Sequence, residues 1–153
     1  MQPVLNPRYS LVIPVYRNSE NIGDLVPACR ALHDALAGRL EVIFVVDGSP
    51  DDSHARLAAL LPSSGLRAQL ISLSRNFGSF AAIREGLLHA RGAFAAVMAA
   101  DLQEPPELVL DFFTRLERGE GDIAFGVRES RSDPAVSRMF SAMFWRVYRS
   151  FVQ

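Results

Sequence analysis

The chain has 153 residues, 49% of them hydrophobic and 22% charged, with a formal net charge of -1 at neutral pH. That length holds one domain with a real hydrophobic core, and the balance of residue types excludes a disordered chain. A net charge so close to zero supplies no long-range basic field, which argues against nucleic acid as a partner.

Short apolar runs alternate with amphipathic stretches, the pattern of βαβ units around a mostly parallel sheet. The first run is Ser10-Leu11-Val12-Ile13, closed by Pro14. A helix follows, with Ser19 placed to cap it and Gly38 to stop it. Ile22, Leu25, Val26, Cys29, Leu32 and Leu36 recur along it at helical spacing. Glu41 to Val46 is continuous and β-branched, as a strand buried on both faces should be. It breaks at Asp47-Gly48-Ser49-Pro50, after which Asp51 or Asp52 caps a helix through Leu61. Leu70 to Leu73 reads as a third strand and Phe80 to Ala90 as its helix. Phe94 to Met98 reads as a fourth strand, with Asp101 just beyond it. Pro105 and Pro106 open a helix through Leu116, and Ile123 to Phe125 is expected to be a last short strand.

From Val136 onward the pattern changes. Val136, Phe140, Met143, Phe144, Val147 and Phe151 share one side of a helical wheel, and Arg138, Arg146 and Arg149 share the other. Such a helix either packs on its own domain or lies on an anionic membrane surface. We therefore expect a domain over residues 1–135 and an amphipathic helix over 136–153. An aromatic stripe left bare points to truncation, or to a homo-oligomer that hides it. Met1 to Tyr9 lacks the apolar core of a signal peptide, and no run reaches the roughly 18 to 20 apolar residues of a bilayer span. The single cysteine, Cys29, excludes an internal disulfide. These features predict a cytoplasmic chain.

In open α/β sheets, ligands bind beyond the carboxyl ends of the strands. Four polar clusters fall there: Pro14-Val15-Tyr16-Arg17-Asn18, Asp47-Gly48-Ser49, Ser74-Arg75-Asn76-Phe77-Gly78 and Asp101-Leu102-Gln103-Glu104. Each alone has a structural explanation. Asp-Gly-Ser suits a turn, Asn76 and Gly78 suit a loop with positive φ, and Asp101 suits a helix cap. Their order and shared position carry the functional reading. No G-x-G-x-x-G or P-loop motif occurs, and no G-x-S-x-G. His33, His54 and His89 are scattered without metal-ligand spacing.

Ser10-Leu11-Val12-Ile13-Pro14-Val15-Tyr16 followed by Glu20-Asn21-Ile22 resembles the opening of family 2 glycosyltransferases of GT-A fold. Val46-Asp47-Gly48-Ser49-Pro50-Asp51 is similar to their second-strand signature. Arg75-Asn76-Phe77-Gly78, with Ala81, Ala82 and Gly86, resembles their third segment. Asp101-Leu102-Gln103-Glu104-Pro105-Pro106-Glu107 is similar to the D-L-Q-D-P-P-E run of the polyprenyl-phosphate branch. Gly126-Val127-Arg128, Arg131 and the aromatic helix continue that branch's pattern. Three positions depart from it. Ala99 replaces the first acid of Asp-x-Asp, Val46 precedes Asp47 where the family has Asp or Asn, and Asn18 stands where an acid is common.

The resemblance implies a Rossmann-like three-layer α/β/α domain and a nucleoside diphosphate sugar donor, with UDP or GDP as the nucleotide. Pro14, Tyr16, Asn18, Asp47, Gly48, Arg75, Asn76 and Gly78 would bind that donor. It further implies Mg²⁺ or Mn²⁺ held by Asp101 and the Gln103 carbonyl. The acceptor would be a polyprenyl phosphate seated by Arg128 and Arg131, and the protein would work at the cytoplasmic face of a membrane. Asp101, Arg128 and Arg131 would carry the catalysis, with inversion at the anomeric carbon. Two alternatives stay open: a soluble family 2 transferase acting on a hydroxyl acceptor, and a non-catalytic relic that binds nucleotide sugars.

Overall fold

The computed structural model describes residues 6–127. In chain order the elements are β1 (Tyr9–Val15), α1 (Ile22–Ala35), β2 (Leu40–Asp47), α2 (Ser53–Leu60) with a 3₁₀ turn at Leu61–Ser63, β3 (Arg67–Leu73), α3 (Ser79–His89), β4 (Phe94–Val97) and α4 (Glu107–Glu117). The strands form one parallel sheet in the order β3-β2-β1-β4. Chain direction reverses its progress across the sheet between β1 and β4, the kind of switch point that opens a crevice at the strands' carboxyl ends.

Alternation along the strands sorts the core into two layers. Leu11, Ile13 and Val15 of β1 and Val42, Phe44 and Val46 of β2 face α1, α2 and α4, where they meet Ile22, Leu25, Cys29, Leu57, Val109 and Phe113. Val12, Ile43 and Val45 point the other way and pack with Ala82 of α3. The architecture is thus the expected three-layer α/β/α. Every residue of β2 is buried because it lies between β1 and β3 with helices on both faces, which explains its continuous apolar run. Cys29 belongs to this core, and burial pushes its thiol up to about 12. Two of the histidines bond to backbone carbonyls: the Nδ1 atoms of His33 and His89 lie 2.8 Å and 2.9 Å from the oxygens of Leu40 and Glu85.

The structure corrects several boundaries. β1 does not stop at Pro14 but runs through it to Val15. Successive residues of a strand bond to opposite neighbours, and the Val12 carbonyl already accepts the Met98 amide on the β4 side. Pro14 therefore directs its missing N–H toward that same side, where β4 has ended. Ser19 does not cap α1, which starts at Ile22 behind Asn21; its amide is drawn instead to Asp51. Ile123 to Phe125 forms no strand. Ile123 and Phe125 are 72% and 81% exposed and join no ladder among the described residues, and a strand exists only where a neighbour takes its backbone bonds. The expected helix over 136–153, the boundary at 135, Arg128 and Arg131 lie outside the described residues. Among the described residues no helix is long and apolar enough to cross a membrane.

One contact sets how closely α3 approaches the sheet. A Cβ added at Gly86 would lie 2.3 Å from Val12 Cγ1, a rigid and fully buried atom. Gly86→Ala should therefore lower stability by about 1 kcal/mol or more, because overpacking outweighs the gain in helix propensity. Urea denaturation checks this, and adding Val12→Ala should recover most of the loss.

Candidate active site

The four polar clusters converge on one cleft of ≈ 250 Å³ at the carboxyl edge of the sheet. Pro14, Tyr16 and Asn18 line it from the loop after β1, Asp47 from the end of β2, Asn76 and Ser79 from the loop into α3, and Ala99 and Asp101 from the segment after β4. Gly48, Arg75 and Gly78 lie in the supporting loops without lining the cleft. Gln103 also falls outside it, on a neighbouring groove of ≈ 980 Å³ between the β4 edge and α4. That groove is larger, but its wall is mostly apolar side chains of α4 and of residues 123–127, so the chemistry-bearing residues belong to the smaller cleft. Ser79 is a lining residue that the sequence reading missed; no motif marks it, and only the bend into α3 brings it to the cleft.

Asp47 organises the far wall. It is 2% exposed, and its two oxygens accept the amides of Phe77 at 2.8 Å and Gly78 at 2.9 Å. A buried carboxylate is tolerated only when its lone pairs are met in this way. Next to it, Gly48 has φ +56, and a Cβ there would sit 2.2 Å from the Arg75 carbonyl carbon. Only glycine lets the two loops touch. Gly78 also needs its freedom: at φ +94 it turns the chain into α3, and its amide is shared with Asn76 Oδ1 at 3.0 Å.

The near wall hangs on Asp51, which the sequence places in the second-strand signature and offers as a cap for α2. Its carboxylate does accept the Ser53 amide at the start of α2, at 3.2 Å, but it also accepts the Ser49 hydroxyl at 2.6 Å and the Ser19 amide at 3.0 Å. The two serines pass the hold onward. Ser49 Oγ accepts the Arg17 amide at 2.8 Å, and Ser53 Oγ accepts the Asn18 amide at 3.2 Å. Asn18 in turn accepts the Tyr16 amide through Oδ1 at 3.0 Å. The β1 loop is thereby strapped to the β2–α2 turn, with Arg17 held at φ +55. Burial pushes the Asp51 carboxyl up, but the hydrogen bonds from Ser49, Ser53 and the Ser19 amide outweigh it and hold it well below the usual carboxylate range.

Asp101 is half-buried at the lip of the cleft. Its Oδ1 accepts the Gln103 amide at 3.3 Å across a turn in which Leu102 takes φ +54. Asp101 enters no ion pair among the described residues. Ala99 places an exposed methyl two residues before it, where the family pattern has an acid. No group of three or more His, Cys, Asp or Glu side chains that could enclose a metal occurs among the described residues. Such an ion would take most of its oxygens from a ligand. On the outer rim Arg75 stacks over the Phe77 ring at 4.1 Å, and Arg17 lies 5.3 Å from the Tyr16 ring centroid.

Two measurements test these walls. Because the folded-state value of Asp51 is depressed, its stabilising contribution is complete above its ordinary value near ~3.9 and is lost as pH falls through the folded value. Denaturant midpoints of the wild type should fall on acidification below about pH 4, and Asp51→Asn should flatten that fall while lowering stability at pH 7. Asp47→Ala should leave the Phe77 amide without an acceptor and the Gly78 amide on Asn76 alone, costing about 1–3 kcal/mol. Amide exchange at Phe77 should quicken accordingly.

Comparison with known proteins agrees with this geometry. The family model described as glycosyl transferase family 2 matches residues 10–152. Dodecaprenyl-phosphate galacturonate synthase of Rhizobium johnstonii is 35% identical over 131 residues, covering 86% of this chain and 39% of its own. Undecaprenyl-phosphate 4-deoxy-4-formamido-L-arabinose transferase of Sodalis glossinidius is 33% identical over 148 residues, covering 94% of this chain and 45% of its own. The chain thus spans less than half the length of these relatives. Among solved structures, the mannosyltransferase PcManGT of Pyrobaculum calidifontis, in complex with GDP-Man and Mn²⁺, superposes with a TM-score of 0.64 at 22% identity over 74% of this chain and 33% of its own. S. aureus TarS 1-349 in complex with UDP gives 0.64 at 21% identity over 83% of this chain and 38% of its own. These two likenesses establish the GT-A fold. Strand order, the sequence of motifs along one sheet edge and the family model all agree: the chain belongs to glycosyl transferase family 2.

Proposed function

We propose that this chain is the donor-binding catalytic part of an inverting glycosyltransferase that moves a sugar from a nucleoside diphosphate sugar to a polyprenyl phosphate. The convergence of all four strand-end clusters on one cleft, with the Asp101 carboxylate in no ion pair among the described residues at its lip, carries the reading. The cleft is small, and its floor is backbone and short side chains, which suits a nucleotide lying flat along the sheet edge. Pro14, Tyr16 and Asn18 form one side of the nucleoside pocket. Asp47 acts through the loop it holds, from which Asn76 reaches the donor while Arg75 and Gly78 support it from behind.

A half-buried carboxylate with no cationic partner among the described residues fits a hard divalent ion, Mg²⁺ or Mn²⁺, which needs only one or two protein oxygens beside phosphate. Asp101 is its carboxylate and the Gln103 carbonyl its second oxygen. When bound, the ion supplies Lewis-acid neutralisation of the diphosphate leaving group. The methyl of Ala99 leaves room for water in place of the missing acid.

The described part of the cleft suits an acceptor that needs no general base. Asp47 and Asp101 are the acids that line it. Asp47 is committed to two backbone amides and Asp101 to the metal, so among the described residues no cleft carboxylate is left to take a proton from a sugar hydroxyl. A phosphate monoester has its second pKa near ~6 and attacks already ionised, so it needs no such base. Arg128 and Arg131 are the cations assigned to seat it, with the work done at the cytoplasmic face of the membrane. The relatives' names, a dodecaprenyl-phosphate galacturonate synthase and an undecaprenyl-phosphate 4-deoxy-4-formamido-L-arabinose transferase, support the same acceptor class.

The test is calorimetry with UDP and GDP, with and without Mn²⁺. Asp101→Asn should abolish most of the metal-dependent gain in affinity, at least tenfold, while the metal-free affinity and the melting temperature stay near wild type. An unchanged metal-dependent gain would transfer the role to Glu104.

A further inference from the structure

The outer face of α3 is built the wrong way round for water. Ala82 and Gly86 turn inward against the sheet, so Phe80, Arg84, Leu87 and Leu88, at i, i+4, i+7 and i+8, form the opposite face. That face should be polar, yet Phe80 is 87% exposed, Leu88 64% and Leu87 43%, and Phe77 just ahead of the helix is 48% exposed. Arg84 stands in the middle of the apolar residues and Arg75 at their edge. Neither forms an ion pair among the described residues: Arg75 stacks on Phe77, and Arg84 is left without a partner. The only acid of the helix, Glu85, lies to one side next to His89 at 3.5 Å. The patch is therefore apolar with uncompensated positive charge.

We propose that this face of α3 docks on an anionic lipid bilayer. The charge selects the occupant. Aromatic and leucine side chains enter the acyl boundary while unpaired arginines meet lipid phosphates, whereas a second copy of this chain would have to bring arginine against arginine. The position is consistent with use. Ser79 lines the cleft and is followed directly by Phe80, so a bilayer touching Phe77 and Phe80 brings the cleft mouth to the headgroup layer. Delivery of a lipid phosphate rests on the acceptor proposed above; the docking itself needs no donor and no transfer.

The experiment is vesicle co-sedimentation of the 153-residue chain on phosphatidylcholine, with and without phosphatidylglycerol, at low and high salt and without nucleotide. The wild type should partition onto phosphatidylglycerol vesicles and come off with salt. Arg84→Glu should lower that partition by more than about fivefold, the worth of one surface cation. A Phe80→Ser/Leu88→Ser pair should lower it on both lipid compositions. UDP affinity and circular dichroism should stay unchanged in both, since these side chains are exposed. Phe144→Ser, in the terminal aromatic stripe, runs in parallel. Three results overturn the proposal: no wild-type binding to anionic vesicles, binding lost only in Phe144→Ser, or a dimer dissolved by the serine pair with vesicle binding intact.

Discussion

Two buried carboxylates on β2 hold α3 at both of its ends, and the functional edge of the sheet depends on them. Asp47, the last residue of the strand, takes the amides of Phe77 and Gly78 that lead into the helix. Glu41, fully buried near the strand's start, takes the Arg91 amide just beyond the helix at 2.6 Å and the Ser10 hydroxyl at 2.7 Å. Ser10 Oγ in turn accepts the Gly92 amide at 2.9 Å, and the Arg91 side chain closes on Glu41 Oε2 at 3.3 Å. Each acid is stable out of water because backbone donors meet it, and each would be costly without them. The helix is thereby clamped between a central strand's two ends, with Gly86 pressed on Val12 midway.

The clamp has consequences at the cleft. The loop from Ser74 to Gly78 has little regular structure of its own, yet its backbone is fixed by Asp47 and by the contact with Gly48. The β1 loop on the other side is fixed by the Asp51 strap through Ser49 and Ser53. A ligand entering between them meets two walls whose backbone is already ordered, so little conformational entropy remains to be lost on binding. Asp101 is held less firmly: among the described residues its one hydrogen bond is the 3.3 Å contact with the Gln103 amide across a tight turn.

The β4 edge contrasts with this. Among the described residues no strand covers it, and Val97, Ile123, Phe125 and Val127 stand 41% to 84% exposed around the groove beside α4. The cleft walls are held by hydrogen bonds within residues 6–127, whereas this groove keeps its apolar side chains open among the described residues.

Periodicity determined much of this protein from its sequence alone. The four parallel strands, their helices and the gathering of Pro14, Asp47, Asn76 and Asp101 at one edge follow from apolar runs that break at polar clusters, because every β-strand of a βαβ unit points the same way. The family was also legible there, since its motifs sit at those breaks. Tertiary structure alone decided which acid does what. Nothing in the chain order says that Asp47 is spent on amides thirty residues away, that Asp51 straps the β1 loop to the β2 turn and not merely its own helix, or that Glu41 is a buried clamp inside what reads as an apolar strand. The same holds for Ile123 to Phe125, whose strand-like residues need a neighbouring ladder. A carboxylate's role depends on which donors reach it and how far water is excluded, and both are properties of residues distant in sequence that only folding brings together.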